Sequence, residues 1–276
     1  MELLLGTLLF LGVSSFVDII CSRYRDKVSF RFLGIKYASY PQRFTYPQMI
    51  EPKGSMDALT IPPQCMQADD SPTQGINRED CLYLNIWTPY LPGTPGNSSS
   101  GPKKLKPVMF WIHGGGFNSG SGSDANFDGG NQASRGDVVS VAINYRLGTF
   151  GFLALNDGKT NGNYGLADMV TALSWVQKYI SDFGGDPSRV TIYGQSAGGG
   201  AVEALLSSPE AKGKFHAAIM MSNPTRGLSA WASIPEYANT TISPILNATG
   251  CTGANALTCL QTYDAYKLTN LPQQTR

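Results

Sequence analysis

The sequence predicts an α/β fold, a predominantly parallel sheet with helices on both faces, and three observations carry that expectation. Short apolar segments of strand length alternate with segments of helical period. The connections between them are short. Two strand-like runs lead straight into glycine-rich turns: residues 108–112 (VMFWI) before His113-Gly114, and residues 190–193 (VTIY) before Gly194. Runs that are apolar without alternation suit strands covered on both sides, as parallel sheets are.

Taken in order, residues 29–38 (SFRFLGIKYA) mix alternation with β-branched side chains and read as a strand. Pro41, Pro47, Pro52, Pro62 and Pro63 then punctuate a loop-rich stretch. Residues 82–88 (LYLNIWT) are the next strand, and residues 92–106 (PGTPGNSSSGPKKLK) a surface loop. Both flanks of that loop are short and strand-like, so it marks no domain boundary. Residues 108–112 and 138–144 (VVSVAIN) are buried strands. Ala167, Val170, Leu173, Trp175, Val176 and Ile180 form one broad apolar helix face, which Gly184-Gly185-Asp186-Pro187 terminates. Residues 190–193 feed Gly194, a helix follows over 197–206, and residues 217–222 (AAIMMS) are a further strand. No internal repeat or heptad pattern is present.

A chain of 276 residues, 42% hydrophobic, buries a sizeable core in one large domain. Its 21 Lys and Arg balance 20 Asp and Glu, which leaves no basic footprint for nucleic acid or acidic lipid. A small-molecule substrate or a protein partner is expected instead. Residues 1–17 (MELLLGTLLFLGVSSFV) are a short apolar run followed by polar sequence from Cys21, which suits a signal peptide over 1–21 better than a membrane span. Glu2 stands where a basic residue is usual, and cleavage after Val13 to Ser15 fits the small-residue rule as well as later points. Five cysteines agree with an oxidising compartment: Cys65 and Cys81 are close in sequence, as are Cys251 and Cys259, with Cys21 left over. Acceptor triplets at Asn97, Asn239 and Asn247 agree with secretion and glycosylation. There is no H-E-x-x-H, no Cys/His ligand cluster and no dinucleotide fingerprint, so neither metal nor organic cofactor is implied.

The chemistry sits in two glycine-rich turns. Gly194-Gln195-Ser196-Ala197-Gly198 has the G-x-S-x-G spacing between a predicted strand and a predicted helix. A tight turn there exposes the Ser196 hydroxyl, and the helix beyond offers unpaired N–H groups to a developing oxyanion. Alone, the motif also fits a serine that merely caps a helix. His113-Gly114-Gly115-Gly116-Phe117 follows the strand 108–112, where a second contribution to an oxyanion hole belongs. Glycine lets main-chain N–H groups face a substrate oxygen with no side chain between. A phosphate-cradling loop would end in Lys-Ser or Lys-Thr, which this one does not.

These turns, with Leu33-Gly34-Ile35-Lys36-Tyr37-Ala38, Arg43-Phe44, Glu79-Asp80-Cys81-Leu82-Tyr83-Leu84-Asn85-Ile86, Asn144-Tyr145-Arg146-Leu147-Gly148 and Phe183-Gly184-Gly185-Asp186-Pro187, resemble the type-B carboxylesterase family, cholinesterases included, over about residues 32–260. The resemblance implies an α/β-hydrolase fold and makes residues 22–276 a partial domain of that family. It implies Ser196 as the acyl-forming nucleophile and the N–H groups of Gly115, Gly116 and Ala197 as the oxyanion hole. It pairs Cys65 with Cys81 and Cys251 with Cys259, gives His113 a supporting place under the oxyanion loop, and puts Trp231 where the family has an acyl-pocket tryptophan. The alternative for Trp231 is an ordinary core aromatic. The substrate implied is a small-molecule or lipid carboxylic ester, with no stable membrane span.

The chain departs from the family pattern in several places. Gln195 replaces the acidic residue usual before the nucleophile, which removes an attraction for cationic substrates, so a choline ester is not expected. Lys36 interrupts a Gly-Ile-Pro-Tyr-Ala pattern, and Asn223 replaces a glycine. The family order is Ser, acid, His, with the last two well downstream. After Ser196 the only histidine is His216, too early for that base, and it reads as a surface or internally satisfied side chain rather than a rewired catalytic one. The expectation is a secreted serine ester hydrolase in C-terminally truncated form. The competing expectations are a catalytically inactive binding module and a short isoform with an exposed apolar sheet edge.

Overall fold

The computed structural model describes residues 20–24, 27–53, 57–68, 77–89, 104–222 and 232–271. Its strands are β1 (Ile20–Tyr24), β2 (Lys27–Lys36), β3 (Gln64–Cys65), β4 (Asn77–Arg78), β5 (Tyr83–Thr88), β6 (Lys106–Ile112), β7 (Val139–Ile143), β8 (Gly185–Gln195) and β9 (Ala217–Met221). Seven of them form one sheet in the order β1-β2-β5-β7-β6-β8-β9. From β7 to β9 every neighbour is parallel, whereas β1, β2 and β5 are antiparallel to theirs. The short β3 and β4 pair in parallel beside it.

The expected helix over 167–180 is α3 (Tyr164–Tyr179), and that over 197–206 is α4 (Ala197–Ser207). Two shorter helices, α1 (Gly130–Gly136) and α2 (Gly148–Phe152), precede them. The pleat divides the strand residues between two faces. Leu84, Ile86, Val108, Phe110, Ile112, Val141, Ile143, Val190 and Ile192 share the main core with Met169, Leu173, Trp175 and Val176 of α3 and Val202 and Leu205 of α4. Trp87, Trp111 and Ala142 share the other face with Ala133 of α1, and Tyr193 packs against them. Helices therefore cover both faces, which is why residues 108–112 and 138–144 read as continuous apolar runs.

The segment 79–86 is discriminating because nearly every side chain in it has a separate job. Glu79 grips the Arg43 guanidinium through two hydrogen bonds of 2.6 and 2.7 Å. Asp80 accepts from Lys36 Nζ at 2.6 Å, so the residue that interrupts the family pattern at position 36 has an ionic partner. Cys81 is bonded to Cys65, and Cys251 to Cys259. Leu82, Leu84 and Ile86 are fully buried. Asn85 accepts from the Gly34 N–H at 2.9 Å and donates to the Gly122 carbonyl at 3.2 Å and to Ser123 Oγ at 2.9 Å.

Sequence reading missed several elements. Strand β1 begins inside the stretch assigned to the leader, of which residues 1–19 lie outside the described residues. Strand β8 starts at Gly185, five residues before the apolar run, because Lys106 pairs with Gly185 across a register shift. The helices α5 (Ile234–Tyr237), α6 (Ser243–Thr249), α7 (Ala256–Thr262) and α8 (Ala265–Thr269) were not anticipated at all. They carry Leu260 and Leu268 into a second core with Phe44, Phe150, Leu153 and Tyr164. Arg43 fastens this group to the sheet by donating to the carbonyls of Leu260, at 3.0 Å, and Tyr263.

A buried ion pair joins the loop after β7 to α3. Arg146 and Asp168 are 5% and 0% exposed, and their two side-chain bonds measure 2.7 and 2.8 Å. Asp168 also accepts from the Arg146 N–H at 3.0 Å, and Arg146 donates to the Thr45 carbonyl at 2.9 Å. Removing the carboxylate strands a guanidinium among backbone groups. Asp168→Ala is therefore expected to lower the unfolding free energy by about 3–5 kcal/mol in urea denaturation, whereas a change under about 1 kcal/mol would mean the pair behaves like a surface one.

Candidate active site

The parallel strands β6 and β8 lie side by side with Ile112 opposite Gly194, so both glycine-rich turns leave the same end of the sheet. Ser196 sits between β8 and α4 at φ 56°, ψ −123°, a conformation an L-residue holds only where the surroundings enforce it. Its N–H donates to the Met221 carbonyl of β9 at 2.9 Å, and its carbonyl accepts from the Gly200 N–H at 3.0 Å. The glycines around it answer to space. A Cβ on Gly198 would strike the Ile112 carbonyl, and one on Gly194 would strike the Gly198 carbonyl.

The second turn lies directly against the first. A Cβ on Gly114 would come within 2.6 Å of the Gln195 carbonyl and 3.3 Å of Ser196 Cβ. Gly115, Gly116 and Phe117 follow with φ of 104°, 61° and 60°. The Gly115 carbonyl turns inward and accepts from the N–H groups of Asn118 and Ser119, both at 3.0 Å. The N–H groups of Gly115, Gly116 and Ala197 have no hydrogen-bond partner among the described residues, and Gly115 and Gly116 are exposed. Gly114, in contact with the partly open Ser196, leads into two of these free donors, and Ala197, next in the chain after Ser196, carries the third. Gln195 is exposed beside it, an uncharged neighbour where a carboxylate would attract cations.

His113 supports this loop and does not serve Ser196. It is 2% exposed and stacks on Tyr145 with ring centroids 4.3 Å apart. Its Nδ1 lies 2.8 Å from the Gly114 carbonyl; a carbonyl only accepts, so Nδ1 carries the proton. Burial pulls its pKa from 6.5 down to about 4, against the opposing pull of the Gly114 hydrogen bond and the Asp124 charge. So weak a base is unsuited to take a serine proton near neutral pH. The Tyr145 hydroxyl, whose own pKa is raised by burial, donates to the His113 carbonyl at 2.8 Å.

His216 is held at the other end of the sheet. Its N–H donates to the Val190 carbonyl at 2.7 Å, and its Nδ1 accepts from the Val190 N–H at 3.3 Å. Val190 precedes Ser196 by six residues of strand, which separates this ring from Ser196 by roughly 20 Å. Among the described residues neither histidine of the chain is hydrogen-bonded to Ser196. Of the other residues singled out, Asn239 and Asn247 are exposed, the former in the π-helical turn Ala238–Ile242 and the latter on α6. Trp231, Asn97 and Asn223 lie outside the described residues. Among the described residues no cluster of His, Cys, Asp or Glu could hold a metal, and no helix is long and apolar enough to cross a membrane.

The fold and the strand–serine–helix turn define an α/β-hydrolase. A solved para-nitrobenzyl esterase superposes with a TM-score of 0.76 at 38% identity, covering 92% of this chain and 50% of that one. The chain belongs to the carboxylesterase family, whose model matches residues 22–275. It is 40% identical over 232 residues to acetylcholinesterase-1 of Trittame loki, covering 79% of this chain and 40% of that protein. It is 44% identical over 208 residues to the medium-chain fatty acyl-CoA hydrolase precursor of Anas platyrhynchos, covering 69% and 36%. It is 41% identical over 210 residues to the para-nitrobenzyl esterase of Bacillus subtilis (strain 168), covering 72% and 41%. The chain thus spans less than half the length of these curated relatives.

The depressed pKa of His113 sets a pH window. In the unfolded chain this ring titrates near 6.5 and in the folded chain near 4, so between those values only the unfolded state binds the proton. Stability is full above about pH 6.5 and falls as the pH drops toward 4, by about 3 kcal/mol. Unfolding measured across this range should show a slope that His113→Gln lacks; a His113 ring titrating near 6.5 by NMR would disprove the buried, neutral assignment. In the same turn, Gly198→Ala must displace the Ile112 carbonyl. It should slow covalent labelling of Ser196 by about 100-fold, measured by intact mass.

Proposed function

We propose that the chain carries the nucleophile and oxyanion hole of a secreted, glycosylated serine ester hydrolase. The observation that supports this most directly is Ser196 at positive φ with the unpartnered N–H groups of Gly115, Gly116 and Ala197 beside it. Ser196 Oγ attacks the ester carbonyl, and the three N–H groups receive the charge that develops on its oxygen. The alcohol departs, and water cleaves the acyl-enzyme. The proton relay needs an acid and a histidine, which the family resemblance puts farther downstream than His216. The names of two relatives, a fatty acyl-CoA hydrolase and a para-nitrobenzyl esterase, point to a thioester or ester with an apolar acyl or aryl group. The neutral Gln195 favours such a substrate over a cationic one. Secretion draws support from the apolar stretch 1–17, the two disulfides, and the exposed positions of Asn239 and Asn247.

A second reading, an inactive binding module, is favoured by one observation: neither histidine of the chain is hydrogen-bonded to Ser196. Covalent labelling separates the two. A fluorophosphonate should modify Ser196 in the protein isolated from its natural source, and Ser196→Ala should abolish the adduct. Absence of any adduct in the wild-type protein would favour the binding module. The 276-residue chain on its own should turn over esters on the order of 10⁶-fold more slowly than an enzyme with a complete triad, as read by para-nitrophenyl ester hydrolysis.

A further inference from the structure

The turn that carries Gly115 and Gly116 closes on itself through the Gly115 carbonyl, but those bonds set its shape rather than its place over Ser196. Its place is decided at its two ends. The entry is fixed by β6 and by His113 stacked on Tyr145. The exit is Gly120, at φ 107°, packed so tightly that a Cβ there would lie 2.5 Å from His113 Nδ1.

Among the described residues no strand pairs with Gly120; its partner is a side chain. The Gly120 N–H donates to Gln67 Oε1 at 2.9 Å, and the Gly120 carbonyl accepts from Gln67 Nε2 at 3.0 Å. A primary amide supplies one acceptor and one donor in the same plane, as a neighbouring peptide would. Gln67 is itself held from two sides. Its Nε2 donates to the Cys65 carbonyl at 3.2 Å and its own carbonyl accepts from Asn77 Nδ2 at 3.1 Å, while Cys65 is bonded to Cys81, two residues before β5.

We propose that Gln67 is a positioning residue for the oxyanion loop, clamping Gly120 so that the N–H groups of Gly115 and Gly116 stay aimed at the carbonyl attacked by Ser196. This rests on the assignment of those groups to the oxyanion hole. Gln67 touches neither substrate nor Ser196; it acts through Gly120 and the disulfide-anchored segment.

The decisive variant is Gln67→Glu. It keeps the acceptor for the Gly120 N–H but sets a carboxylate oxygen against the Gly120 carbonyl, two acceptors with no proton between them. Protonation of that carboxyl restores the donor. Fluorophosphonate labelling of Ser196 should therefore be 10- to 100-fold slower than wild type at about pH 8, with the half-saturating probe concentration unchanged. The ratio of variant to wild-type rate should rise toward one as the pH falls to about 5, whereas general loosening of the fold gives a ratio flat in pH. Gln67→Ala should be slow at every pH. Amide hydrogen exchange needs no variant: in the wild-type chain the Gly120 N–H should exchange far more slowly than the exposed N–H of Gly116. An unprotected Gly120 amide, or a Gln67→Glu protein labelled at the wild-type rate, overturns the proposal. If wild type and Ser196→Ala are equally unlabelled, the esterase reading fails instead, and the exchange measurement still decides the role of Gln67.

Discussion

Two turns of main chain meet at the end of β6 and β8 with no side-chain layer between them, and the candidate site depends on that contact. The Gly198 Cα rests on the Ile112 carbonyl, and the Gly114 Cα rests on the Gln195 carbonyl. Any side chain at either glycine would prise the turns apart. Because the contact is backbone to backbone, it carries the hydroxyl and the free N–H groups on atoms with little rotational freedom. Groups aimed in advance at a developing charge need no reorganisation as it forms.

Keeping two loops in that contact requires an anchored layer beneath them. Asn144 accepts from the Gly122 N–H at 2.9 Å and donates to the Pro63 carbonyl at 2.9 Å, while its own carbonyl accepts from the buried Tyr37 hydroxyl at 2.7 Å. Asn85 ties Gly34 to Gly122, and Arg146 ties Thr45 to Asp168. These are buried polar groups whose hydrogen bonds go to backbone that lacks a ladder partner. Such groups are costly to leave unmatched and stabilise when matched, so they specify one loop arrangement over others.

At the open end of the sheet the balance differs. On β9 the side chains of Ile219, Met220 and Met221 are 45%, 46% and 36% exposed, and the strand pairs only with β8 among the described residues. The site borders this edge, since the Ser196 N–H is held by the Met221 carbonyl. Ser196 and the glycine-rich turn beside it are thus bordered by a strand whose outer side has no described neighbour.

The sequence by itself determined the central strand and helix order, both glycine-rich turns, the place of Ser196 between strand and helix, and the separation of His216 from it. Each of these rests on local rules: pleat and helix period, helix termination, and the need for glycine where chains cross. The motif around Glu79 was equally plain as a pattern, although nothing local says that Glu79 grips Arg43 or that Asp80 answers Lys36. The early start of β8, the C-terminal helices and the clamp of Gln67 on Gly120 were not legible. A strand of mixed polarity is recruited only by pairing with Lys106, short helices without a strong apolar face form only against Phe44 and Phe150, and a glutamine in a loop looks like any other. Tertiary structure alone decided these, because each is stabilised by a partner from about 50 to more than 200 residues away, brought near only once the sheet has closed.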